Sequence, residues 1–243
     1  MVATVAGCSS SSSSSTTYAV ASPTAAASDP VPSASMTALP AAAGQLTGTQ
    51  LESVLLPESD FPEGFATPTS GPVSSGGSLT PGKATYNLAT MSCALFIQHL
   101  GTTGFGETAM VSSGVSSSGQ AYDQLIYQFA AASGASSFLT GVQALAGRCA
   151  SFKASANGQT GTFSLKAATG APVGGHPTVE LDESGTLGSD KLVLDTLLCA
   201  SGVAVFGAAS VGVSDTSVPT VPSNASIVWE MMKRQPAVAV LGS

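Results

Sequence analysis

Between Ala121 and Phe129 the chain alternates. Tyr122, Gln124, Ile126 and Gln128 fall on one side of an extended backbone, and Asp123, Leu125, Tyr127 and Phe129 on the other, the period of a β-strand. After Ser133 the period changes: Phe138, Val142 and Leu145 recur at helical spacing with Leu139 and Ala146 beside them, before Arg148 and Cys149 lead into a second β-prone run. Strand, helix and strand therefore follow within about thirty residues.

The flanking segments extend this pattern. Leu46 to Leu56 reads as a short helix with Thr49 as N-cap and Glu52 completing a capping box, ended by Pro57. After a long polar connection, Leu88 to Leu100 carries Leu88, Met91, Leu95 and Ile97 at helical spacing around Cys93, and Gly101 stops it. Glu107 to Val115 is expected to pair with Ala121 to Phe129 as a hairpin across Ser116 to Gln120. Cys149 to Ser155 and Gly161 to Ala167 flank Asn157-Gly158, the strongest short-range hairpin signal in the chain. Further strands are expected at Pro177 to Leu181, Lys191 to Leu198 and Val203 to Val213. Ser223 can cap a last helix through Gln235, ended by Pro236, with Val228, Met231 and Met232 on its buried face beside Trp229. Helices, then hairpins, then a helix predict one α+β domain over residues 45–236, an antiparallel sheet with helices packed on one face, and a short tail over 237–243.

Composition changes the picture at the N-terminus. Residues 9–44 hold an unbroken serine run, Ser9 to Ser15, and then mostly Ala, Ser, Thr and Pro with almost no charge. Such a stretch cannot bury enough apolar area to offset its ordering entropy, so it is expected to be a disordered tether with a reach of roughly 30 Å. Ahead of it Val5, Ala6, Gly7 and Cys8 resemble a bacterial lipobox, in which small residues precede a cysteine that is diacylated and becomes the mature N-terminus. Residues 1–8 are thus read as a truncated signal ending at the lipidation site, Cys8. Seven residues are fewer than an export signal requires, so an anchored chain needs a start upstream of Met1. The whole sequence is 9% charged and 43% apolar with a formal net charge of −7, a surface that repels phosphate backbones and argues against nucleic acid as a partner.

Three cysteines and their surroundings carry a family resemblance. The helix opening with Cys93 (MSCALFIQHL), the strand, helix and cysteine block ending at Cys149, and Cys199 followed by a strand (CASGVAVFGAASV) look like the extracellular sensor domain of actinobacterial protein kinase H. That domain also occurs alone in lipid-anchored or secreted proteins. The resemblance covers roughly Leu46 to Gln235. It implies an α+β binding or sensing module without an agreed enzymatic activity, and a disulfide between Cys93 and Cys149. Cys199 matches a third family cysteine whose partner has no counterpart in Val203 to Val213, which implies a free thiol at Cys199.

No catalytic constellation emerges. A serine hydrolase needs a base, and the only histidines are His99, at the end of an apolar helix, and His176, in a Gly-rich turn before Pro177. GFGETA, Gly104 to Ala109, loosely matches a dinucleotide fingerprint but follows a helix and leads into a strand, the reverse of what phosphate binding needs. Glu180 to Lys191 imitates a calcium loop through Glu180, Asp182, Ser184 and Gly185. Lys191 puts a cation where the bidentate carboxylate belongs, so Glu180, Asp182 and Asp190 make only a weak metal candidate and the segment reads as a polar hairpin loop. No zinc spacing and no cofactor motif are present. The expectation is a non-catalytic, lipid-anchored protein of the extracellular membrane face that binds or senses a cell-envelope ligand or protein. The alternatives are a structural or adhesive surface domain and a secreted hydrolase with an unrecognised site.

Overall fold

The computed structural model describes residues 45–67, 73–76, 84–156, 159–213 and 217–241. Cys8, the tether and the Asn157-Gly158 turn lie outside them. Eight strands, β1 (Val73–Gly76), β2 (Ala109–Ser117), β3 (Gln120–Gln128), β4 (Phe152–Ala156), β5 (Gln159–Thr169), β6 (Thr178–Leu187), β7 (Asp190–Ser201) and β8 (Ala204–Val213), form one sheet. Every neighbouring pair is antiparallel, in the order β1-β2-β3-β8-β7-β6-β5-β4. The helices are α1 (Gly48–Glu52), α2 (Cys93–His99), α3 (Ala132–Ala146) and α4 (Asn224–Leu241).

Two hairpin units explain this order. β2 and β3 turn through Ser118 and Gly119, both at positive φ, the two-residue turn whose twist suits a hairpin. β4 to β8 run as consecutive antiparallel neighbours and return β8 to the side of β3. The chain must therefore travel from β3 to the far edge before the second unit begins. α3 makes that journey: its 15 residues extend about 22 Å, close to the roughly 24 Å of five strand spacings.

The α+β antiparallel architecture is as expected, but helices cover both faces. On one face α1 and α4 pack Leu51, Ile227, Val228 and Met231 against Ile126, Leu197, Cys199 and Phe206. On the other, α2 and α3 pack Phe96, Phe138, Leu139, Val142 and Leu145 against Leu125, Tyr127, Leu198 and Val205. The one-face expectation fails because β8 and the end of β7 do not alternate: Leu197 to Ser201 and Ala204 to Val211 are buried without interruption.

The polar side chains Gln124 and Gln128 of β3 are buried too. Leu56 N–H donates to Gln124 Oε1 at 2.8 Å while Gln124 Nε2 donates to the Leu56 carbonyl at 3.0 Å. Gln128 does the same for Leu46, at 2.6 and 2.8 Å. Each amide imitates a strand neighbour, and together they hold the segment around α1 on the sheet. This shifts the cap: Thr47 and Gln50, not Thr49 and Glu52, form the capping box. α4 also departs from expectation, continuing through Pro236 to Leu241. No helix among the described residues is long and apolar enough to cross a membrane.

Cys93 at the start of α2 and Cys149 just beyond α3 are joined by a disulfide. Cys199 is a free, buried thiol, its Sγ 3.9 Å from Met232 Sδ, and burial pushes its pKa up to about 12. The bridge spans 56 residues, and a constraint of that length removes about 4 kcal/mol of unfolded-state entropy. Replacing Cys93 and Cys149 together by alanine is expected to lower the unfolding midpoint by about 10 °C in a non-reducing thermal melt, and Cys199→Ala by much less.

Candidate functional site

The two helices on the α2/α3 face leave one region uncovered. α3 lies across one end of β5 to β8, whereas toward the other end of those strands, among the described residues, Ile97 and Leu100 of α2 reach over the sheet. The gap is a pocket of about 70 Å³. Its floor comes from Asp123 of β3, Val211 of β8, Leu192, Leu194 and Thr196 of β7, Leu181 and Glu183 of β6 and Leu165 of β5. Register explains why they share a face: Asp123 lies opposite Ala209, Ala209 opposite Thr196, and Thr196 opposite Leu181.

Seven of these ten lining residues are aliphatic, so the two carboxylates stand out. Glu183 lies between Leu165 and Leu194 on the neighbouring strands and is 5% exposed. Its Oε1 has no hydrogen-bond partner among the described residues. Burial raises its pKa to about 7, and no basic side chain among the described residues lines the pocket to favour the ionised form. Asp123 is half-buried over Gly114, where a Cβ would collide with its carboxylate, and burial raises its pKa to about 6. Three strand spacings, roughly 14 Å, separate the two strands that carry them. The pocket can therefore take an apolar body and offers it buried carboxyl oxygens.

The residues singled out from sequence lie elsewhere. Glu180 and Asp182 stand on the opposite, outward side of β6, and Asp190 sits across from Leu187 at the far end of the hairpin. Glu180 pairs with Leu197, seven residues along β7 from Asp190, so roughly 23 Å of strand separates them. The calcium-like segment is not a loop at all, because the ladder runs on to Leu187 and turns tightly at Gly188, φ 63°. No cluster of three or more potential metal ligands occurs among the described residues.

His99 stacks on Tyr86 with ring centroids 4.4 Å apart. His176 Nε2 is 3.4 Å from the Oγ of the buried Ser201, and the two lie outside the pocket described above. In GFGETA the Glu107 carboxylate accepts from the N–H groups of Gly104 and Phe105, both at 2.8 Å, so the motif is a self-capped turn. Sequence reasoning missed Glu183 because it sat inside the supposed calcium loop. Its signal was present: with Val179 and Leu181 it occupies the apolar side of β6.

Among solved structures the chain is similar to the extracellular domain of PknH from Mycobacterium tuberculosis, with a TM-score of 0.54 at 13% identity over 79% of this chain and 97% of that one. An uncharacterised protein of Mycobacterium smegmatis, the Rv0999 ortholog, matches with a TM-score of 0.40 at 10% identity, over 78% of this chain and 95% of that one. No family model and no curated protein matches. At this identity the first likeness establishes a shared fold.

The carboxyl groups predict how stability depends on pH. Glu183 and Asp123, and also Asp195, whose pKa is raised by burial and then by facing Asp182, hold their protons more tightly in the folded chain than in the unfolded one. The stabilisation is complete below the unfolded values near pH 4 and is lost as the pH rises through the folded values near 6 to 7. Denaturant unfolding is expected to show a more stable domain at pH 5 than at pH 8. Glu183→Gln should remove the part due to Glu183, up to about 3 kcal/mol.

Proposed function

We propose that the chain is a lipid-anchored extracytoplasmic protein of the cell envelope that binds or senses a small ligand in the pocket beneath α2. The observation that carries this reading is the apolar pocket with Glu183 buried in its wall and one oxygen unpartnered. A buried polar group without a partner costs stability unless something supplies the bond. The Cys93–Cys149 disulfide fits an oxidising compartment outside the cytoplasm. The fold shared with a kinase's extracellular domain supports the same location. The lipobox-like residues before Cys8 supply the anchor, and two acyl chains hold far more firmly than one.

The reading is non-catalytic. Among the described residues the one hydroxyl lining the pocket is Thr196, and no histidine, lysine or cysteine lines it to activate a nucleophile. A structural or adhesive role is favoured by one other feature: β4 to β6 present polar hydroxyls on the face away from the pocket, with Ser164 and Ser184 Oγ atoms 3.0 Å apart.

Occupancy of the pocket separates the two readings. Untargeted mass spectrometry of small molecules released from the protein, purified from its native host, is expected to find an apolar compound carried by wild type and lost from Leu192→Trp, which fills the pocket mouth. An identical set from both proteins would sink the pocket reading. Anchoring has its own check: native protein should partition into detergent and Cys8→Ser into the aqueous phase, and equal aqueous partitioning would remove the anchor.

A further inference from the structure

Resting on that pocket reading, we infer that the ligand is a cationic amphiphile, a short apolar body bearing a protonated amine that seats against Glu183. The pocket is one-signed. Among the described residues its aliphatic wall is interrupted by Glu183, Asp123 and Thr196 and by no basic side chain. What faces Glu183 is Leu165 of β5, Leu194 and Thr196 of β7, and Ile97 and Leu100 of α2, with Asp123 of β3 the other charged group of the lining. His99, the remaining titratable group of α2, is turned into its stack on Tyr86.

Glu183 is 5% exposed, and its Oε1 lacks any donor among the described residues, so an unoccupied pocket leaves that oxygen unsatisfied. An ammonium supplies both the missing donor and the missing countercharge, and a charge-assisted bond is about twice as strong as a neutral one. An alcohol of the same length supplies the donor alone. A carboxylate supplies neither and adds repulsion from Glu183 and Asp123. Burial raises the pKa of Glu183 to about 7. Ammonium binding should therefore weaken as the pH falls through 7, whereas alcohol binding should not, the amine itself staying protonated throughout.

The test uses three probes that differ only in their head group, n-hexylamine, n-hexanol and hexanoate, titrated into the full chain and followed by amide chemical shifts. At pH 8 hexylamine is expected to bind about tenfold more tightly than hexanol, with hexanoate failing to saturate. Lowering the pH to 6 should weaken hexylamine about tenfold as Glu183 takes up its proton. Glu183→Gln should reduce hexylamine to the level of hexanol, with amide shifts away from the pocket unchanged from wild type showing that the variant is folded. Asp123→Asn gives a second variant, with a smaller loss for the amine alone.

Hexanol binding as tightly as hexylamine, hexanoate binding best, or hexylamine keeping its advantage in Glu183→Gln would overturn the proposal while leaving a ligand-binding pocket. Failure of all three probes to bind would overturn both.

Discussion

Burial of β8 on both faces is the constraint on which the rest of the structure depends. The strand, AVFGAASVGV, has no charged residue to turn toward water, and it is enclosed by β3 and β7 at its sides and by α4 and α3 above and below. Its small residues make that enclosure possible: a Cβ at Gly207 would come within 2.8 Å of Leu125 and Leu198, which close over it. Where β8 does carry a polar group, a partner is supplied. Ser210 Oγ donates to Asn224 Oδ1 at 2.8 Å, and Asn224 Nδ2 reaches the Asp195 carbonyl at 2.6 Å, pinning the first residue of α4 to the sheet.

The pocket is a by-product of the same arrangement. α3 must cross from β3 to β4, and a straight helix on that path shields one end of the central strands but not the other. α2, seven residues long and tied to α3 by the Cys93–Cys149 bridge, covers the remainder incompletely. The strands beneath keep their inward register to their ends, so side chains chosen for burial, Leu192, Leu194 and Val211 among them, line a gap. Two of those inward positions carry carboxylates, and their raised pKa values follow from lining a space meant for apolar atoms.

Much of this was legible in the chain because periodicity is a local property. The strand at Ala121 to Phe129, the helix at Phe138 to Leu145 and the hairpins were readable from alternation and turn residues, and Cys93 with Cys149 from a family resemblance. Part of what escaped depended on partners far away in sequence. Gln124 and Gln128 look like water-facing residues, and only Leu46 and Leu56, some seventy to eighty positions earlier, make them interior ones. Glu183 escaped for a local reason: it was grouped with Glu180 and Asp182 in a loop, although it alternates with Val179 and Leu181 along β6.

The glutamine pairs also fix where a mechanical load would enter. Whatever precedes residue 45 joins the domain at Leu46, and Leu46 is held to the body by the Gln128 amide, deep in the middle of the sheet and not at an edge. Tension from the N-terminal side would load the Gln45 amide on the Phe129 and Ala130 carbonyls, then the Gln128 pair and then Gln124, peeling the segment away one amide at a time. Because Gln124 and Gln128 are side chains of β3, that load would pass straight into β3 and be shared with β2 and β8 through their ladders.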